Sequence, residues 1–214
     1  MRTFKLLICL LSFQLTLYSL TAWAVPIANL YNTGLDASGN YLPTLGLDGN
    51  YTVISSPLGS FTPAAVDDTV YPFPSFWIAN NPPFSRWIGT SAQYSDGPNG
   101  NYLYRTTFNL PANANLGSVV LTGMWATDDP GLDILINGIS TSQVSAGFSS
   151  LVGFSVTSGF NVGLNTLDFL VGQVGGGPTG LRVDKIFGSY NVPEPTSAAL
   201  ALLCLGGIVM RRRV

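Results

Sequence analysis

The sequence predicts an all-β fold, an antiparallel β-sandwich or jelly roll, flanked at each end by an apolar segment. Three observations carry this expectation. The middle of the chain is rich in Gly, Asn, Ser and Thr, with many β-branched and aromatic residues and few strong helix formers; such composition suits strands joined by turns. From Tyr102 to Leu110 the side chains alternate. Tyr102, Tyr104, Thr106, Phe108 and Leu110 share one face, and Leu103, Arg105, Thr107 and Asn109 share the other. Finally, Leu132 to Ile136 meets Asn137-Gly138, and this dipeptide suits a type I′ hairpin because both positions need φ > 0.

In chain order, Tyr51 to Ser55 and Phe76 to Ala79 are short strand candidates. The proline-rich stretch from Pro57 to Asn101 reads mostly as irregular loop held by its own aromatic rings. Tyr102 to Leu110 then turns through Pro111-Ala112-Asn113 into a strand over Ser118 to Ala126. Leu132 to Ile136 and Ile139 to Gln143 are the arms of the Asn137-Gly138 hairpin. Gly153 to Thr157, Asn165 to Val174 and Leu181 to Tyr190 complete the set. Short antiparallel strands with no long amphipathic helix are buried most simply by packing two sheets face to face. No internal repeat of fixed period is visible.

The two ends have a different chemistry. Arg2 and Lys5 precede the apolar run Leu6 to Leu20, and Ala22-Trp23-Ala24 forms an A-x-A site. This is the pattern of a secretory signal peptide over residues 1–24, so the mature chain is expected to begin at Val25. At the other end, Val192-Pro193-Glu194-Pro195 leads into the apolar run Thr196 to Met210 and then Arg211-Arg212-Arg213. That run is 15 residues long, short of the roughly 20 that span a bilayer comfortably. Gly206-Gly207 would let another helix approach it closely. The three arginines are expected to stay cytoplasmic, leaving everything before Pro193 outside.

Residues 192–214 resemble a PEP-CTERM sorting signal, whose pattern is Val-Pro-Glu-Pro, a short transmembrane helix (here 196–210) and a terminal Arg cluster (here 211–213). The resemblance implies recognition by an exosortase, a cysteine transpeptidase-like enzyme in the inner membrane of Gram-negative bacteria. It further implies cleavage near Pro-Glu-Pro and transfer to the cell surface or the extracellular polymer matrix. Such a tail addresses the cargo and does not say what the cargo does.

Between the ends, residues 25–191 are long enough to bury one real core. Both cysteines, Cys9 and Cys204, fall in the end segments, so the domain is expected to lack a disulfide. It carries ten aspartates against Arg86, Arg105, Arg182 and Lys185, a net charge of −6. Nucleic acid wants a basic face, so it is not expected as a partner. The chain has no His, which excludes Ser-His-Asp and Cys-His catalysis and any His-ligated zinc. Gly175-Gly176-Gly177-Pro178 lacks the Lys-Ser/Thr of a phosphate loop. No catalytic residue is assigned, and the domain is expected not to be an enzyme.

A second resemblance spans Trp87 to Tyr190. Trp87-Ile88-Gly89, Tyr102-x-Tyr104-Arg105-Thr106-Thr107-Phe108, Ile136-Asn137-Gly138 and Gly163-x-Asn165-Thr166-Leu167 occur in the order seen in galactose-binding-like jelly rolls. It implies a fold shared by carbohydrate binders, adhesion modules and structural domains, many of which carry a structural Ca²⁺. No cofactor is otherwise expected. Asp128, Asp129 and Asp133, or Asp67 and Asp68, are the carboxylates that could hold such an ion. The bland reading of them, and of Asp36 to Asn40, is turn capping.

Carbohydrate could instead be held in the aromatic loop, where Tyr71, Phe73, Phe76, Trp77, Phe84, Trp87 and Tyr94 crowd together. Trp77, Arg86 and Trp87 are its leading candidates, with Arg86 a bidentate partner for hydroxyls or a carboxylate. Against this, both tryptophans precede Ile, and their rings could simply hold the loop to the sandwich. Arg105 is expected to pair with Asp168 or Asp184. Three readings follow. The first is an exported, non-catalytic surface or matrix protein serving adhesion or biofilm structure. The second is a carbohydrate-binding module for exopolysaccharide, and the third an Asp-based glycan hydrolase.

Overall fold

The computed structural model describes residues 23–90, 96–145 and 147–193. Ala22, Glu194, Pro195, the expected 196–210 helix and Arg211 to Arg213 lie outside the described residues, as do Cys9 and Cys204. Ala24–Asn191 forms one compact unit. Among the described residues all regular structure is β, in thirteen strands. In order they are β1 (Trp23–Pro26), β2 (Thr52–Ser55), β3 (Ala64–Ala65), β4 (Ile88–Gly89), β5 (Asp96–Gly97) and β6 (Gly100–Leu110). There follow β7 (Asn115–Asp128), β8 (Gly131–Ile136), β9 (Ile139–Ser140), β10 (Val152–Val156), β11 (Gly163–Gln173), β12 (Gly177–Pro178) and β13 (Gly180–Val192).

One sheet runs β10-β7-β13-β4-β3, with β1 also on β13; the second runs β2-β6-β11-β8-β9; β5 and β12 form a separate ribbon. The long pairings are antiparallel, β11 with β6 from Gly163↔Leu110 to Gln173↔Gly100 and β13 with β7 from Gly180↔Asp128 to Asn191↔Asn115. The architecture is therefore an antiparallel β-sandwich. Its two sheets meet where Trp125 of β7 and Phe154 of β10 both pack on Phe169 of β11, each at 5.7 Å between ring centroids. Gly123 makes room for this contact, because a Cβ there would meet the Phe154 ring at 2.5 Å.

Local pattern explains most strands. All five residues assigned to the inner face of β6 are buried, from Tyr102 to Leu110, and each large apolar side chain contributes about 1.5–3 kcal/mol. On the other face, Arg105 lies opposite Asp168 in the register and holds it through Nε–Oδ1 and NH2–Oδ2, each at 2.7 Å. The Asn137-Gly138 turn has φ of 52° and 79°, as a type I′ hairpin requires. Asn165 is fully buried with every polar atom used. Its Oδ1 accepts from Asn137 Nδ2 and Asn161 N, and its Nδ2 donates to the Asn161 and Gly163 carbonyls.

Two expectations are corrected. Phe76 to Ala79 is not a strand. Its backbone is held by non-ladder partners: Ile78 N donates to Phe148 O, Ile78 O accepts from Trp87 Nε1, and Ala79 O accepts from the Arg182 guanidinium. The hairpin arm expected over Ile139 to Gln143 ends at Ser140. Ser142 has φ 57°, which breaks the strand, and the Gln143 side chain pairs with both Ser155 N and Ser155 O on the free edge of β10. A side-chain amide there covers an edge that would otherwise invite another strand.

Candidate functional site: an aromatic and acidic cleft

At one end of the sandwich, the C-terminal end of β7, the last residue of β11, the loop before β12 and the 71–77 loop converge. Between them lies a cleft of about 170 Å³, lined by Tyr71, Phe76, Trp77, Asp128, Asp129 and Gln173 among others. Tyr71 and Phe76 form its outer wall. They are 55% and 54% exposed, and they meet edge-to-face with centroids 5.7 Å apart. Single exposed rings are ordinary, and Phe84 and Phe187 are others here; what sets Tyr71 and Phe76 apart is that they touch each other at the mouth of a cleft.

Beneath them the rings are structural. Trp77 and Trp87 are 2% and 0% exposed and stack on one another at 4.2 Å, with Phe73 edge-on to Trp77 at 5.5 Å. Gly180 lets Trp77 in, since a Cβ there would meet its ring at 2.8 Å. Both indole N–H groups are spent inside the protein, Trp77 Nε1 on Asp128 Oδ2 at 2.6 Å and Trp87 Nε1 on Ile78 O at 2.8 Å. The expectation that Trp77 and Trp87 offer stacking faces is therefore corrected: Trp77 is floor, and Trp87 is buried beneath it. Arg86 is corrected with them. Its guanidinium donates to Val66 O, Leu42 O and Thr44 Oγ1 with Asp68 at 3.6 Å, and at 3% exposure it is out of a ligand's reach.

The expected carboxylate trio is divided. Asp128 and Asp129 both line the cleft, whereas Asp133 is on β8 with its Oδ1 on its own neighbour's amide, Ile134 N. Burial is the main cause that pushes Asp128 up to about 7; the Trp77 indole opposes it, and the charge and hydrogen-bond contact of Asp129 reinforce it. Asp129 is anchored by Val174 N, which donates to its Oδ2 at 2.8 Å. Gln173, 3% exposed, donates from Nε2 to Gly177 O at 3.4 Å, and its Oε1 has no partner. Three ion pairs use Arg86, Arg105 and Arg182 on Asp68, Asp168 and Asp184. Among the described residues, none reaches Asp128 or Asp129.

The remaining acidic candidates are turn and pairing residues. Asp67 Oδ1 accepts from Thr69 N and Oγ1, Asp68 accepts from Asn80 Nδ2, and Asp36 Oδ1 accepts from Ser38 N and Asn40 N. Among the described residues no group of three acidic, His or Cys side chains could hold a metal. Of the other expected residues, Ala24 lies in β1, and Val192 ends β13 before Pro193. A larger groove of about 420 Å³ runs beside Ile136, Ser140, Gln143 and Ser155 but holds no titratable group. Sequence reasoning counted Tyr71 and Phe76 among the crowded rings without separating wall from floor. Gln173 it missed, since nothing local distinguishes a Gln at a strand end.

Comparison with known proteins adds a sorting signal and little about the domain. Residues 191–213 match the PEP-CTERM protein-sorting motif, which marks the chain for export and sorting toward the cell surface. No curated protein matches the chain. Among solved structures, the CBM36-1 domain of a multidomain xylanase from the hindgut metagenome of Trinervitermes trinervoides matches at 13% identity and TM-score 0.32, covering 79% of this chain and 96% of that one. A Stig cyclase from Fischerella sp. TAU matches at 11% identity and TM-score 0.40, covering 81% of this chain and 100% of its own.

Proposed function

We propose that this protein is a non-catalytic surface or matrix component, delivered by an exosortase acting near Pro193-Glu194-Pro195, whose sandwich binds exopolysaccharide through the Tyr71/Phe76 cleft. The observation that carries the proposal is the pair of exposed rings set against unpaired acceptors. A sugar offers an apolar C–H face to the rings and hydroxyl donors to Asp128, Asp129 and Gln173, the mix of apolar wall and few polar groups expected of a ligand site. Binding of this kind suits a role in adhesion or biofilm structure.

Binding of extracted exopolysaccharide to the full chain in detergent tests the proposal. Tyr71→Ala with Phe76→Ala is expected to weaken it about tenfold or more, two ring contacts each giving about 0.5–1.5 kcal/mol. Both side chains are exposed, so the fold should stand. Unchanged affinity would sink the reading. Hydrolysis of the glycan is the reading we set aside, because the two carboxyl groups touch each other, whereas glycoside cleavage needs them about 5–9.5 Å apart across the bond. Release of reducing ends by the chain, lost in Asp128→Asn, would reinstate it.

A further inference from the structure

The cleft is lopsided in a way that narrows its ligand. Asp128 Oδ2 already accepts the Trp77 indole and Asp129 Oδ2 the Val174 amide, while Gln173 Nε2 is turned to Gly177 O. What remains is one oxygen on each carboxyl, the two carboxyls sharing a proton when no ligand replaces it, and the unpartnered, buried Gln173 Oε1. With the carboxyl pair deprotonated, the side chains of the cleft thus present three acceptors against two donors, the Tyr71 hydroxyl and the second N–H of Gln173. No arginine or lysine compensates the carboxyl pair among the described residues. Two carboxyl groups in contact, one of them buried, favour a proton or a ligand's positive charge between them.

We infer that the cleft selects a cationic amino sugar, its ammonium group donating to Asp128, Asp129 and Gln173 while the ring stacks on Tyr71 and Phe76. An ammonium carries three donors and no acceptor, which matches three acceptors. Its charge is also attracted to the aromatic faces. A uronic acid would bring a third carboxylate to the same place. Calcium fits less well, because it takes six to eight oxygens and the site has three side-chain oxygens free. The inference rests on the cleft being the glycan site.

The test uses the full chain in detergent, titrated with a glucosamine hexamer, its N-acetylated counterpart, a neutral glucose hexamer and an oligogalacturonate, with chelator present or with Ca²⁺ added. The glucosamine hexamer is expected to bind at least tenfold more tightly than the other three, without Ca²⁺. Asp129→Asn keeps the acceptor for Val174 N and removes the charge. It should weaken glucosamine binding about tenfold, because hydrogen bonds to charged groups are roughly twice as strong as neutral ones. Asp36→Asn removes the same unit of charge from a residue outside the cleft and should change nothing. Equal binding of acetylated and free hexamers would overturn the amino-sugar inference and leave the glycan reading standing. So would a preference for the uronate, a need for Ca²⁺, or an equal loss in Asp36→Asn. Failure to bind any hexamer or the extracted exopolysaccharide would remove both.

Discussion

At Asp128 a buried carboxyl is held against a second one, and its value near 7 lies well above the ordinary 3.8. A raised carboxyl means that the native state keeps a proton which the unfolded chain releases, so stability is lost as pH rises from about 4 through about 7. Asp48, pushed up to about 6 mainly by burial and opposed by the Gly34 and Asn50 amides, acts in the same direction over the lower part of that window. Asp36 and Asp67 are held low by their turn hydrogen bonds and act with the opposite sign, near and below the ordinary carboxylate range. Urea midpoints should therefore decline between about pH 5 and pH 7.5, and Asp128→Asn should remove the part above about pH 6. A variant that keeps the full decline would mean that Asp128 ionises normally. At this scale the sequence was legible where chemistry is local, as at Asn137-Gly138 or Asp36 to Asn40. It was silent where a side chain's role depends on distant partners. Trp77 meets Asp128 fifty-one positions away, and nothing near Trp77 announces that its indole is spent there.

Among the elements, β6 was readable because period-2 burial runs its whole length, while β7, β11 and β13, buried on both faces over part of theirs, were readable as long β-branched and apolar runs between turns. The pairs β3, β4, β5 and β12 are two residues each, too short for alternation to exist, and only the tertiary partner makes them strands. Ile139 to Gln143 failed for a related reason: its last residues find a better partner in Ser155 than in the hairpin. The β8–β9 hairpin and the start of β11 are stapled by the Asn137–Asn165 network, to which Asn137 Oδ1 adds a bond from Thr166 N and Asn137 Nδ2 one to Gly159 O. Asn165→Ala would strand several buried groups at once, and each such group costs about 1–3 kcal/mol. A loss of roughly 3 kcal/mol or more in chemical denaturation is expected, against less than about 0.5 for an exposed control such as Thr107→Ala. A loss below 1 kcal/mol would mean that water replaces the network.

For the whole molecule, the question is whether the 71–90 loop layer folds with the sandwich. Trp87 and Trp77 pack on Val66, Phe73 and Ala126 of β7 as one apolar cluster, while Trp125 belongs to the contact between the sheets. Unfolding followed by the coupled circular dichroism of the Trp77–Trp87 pair should coincide with unfolding of the same chain followed by the far-ultraviolet circular dichroism of the sheets. Two separate midpoints would make the cleft wall an independent unit. The location of this layer was not legible: proline density marked it as loop, but a loop's rings are sorted into floor and wall only by what they pack against.

β13 begins at Gly180, beside the cleft floor, and runs to Val192, where the sorting tail follows. Its span is roughly 40 Å at about 3.3 Å per residue, and β7 lies along most of it with ladder bonds at right angles to the strands. A pull between something seated in the cleft and the end of β13 at Asn191 is therefore directed along these strands. Ladder bonds loaded that way share the force together instead of opening one by one. On the proposed reading, in which the cleft holds a polymer, the paired strands between Gly180 and Asn191 act as a tensile link and not as a zipper.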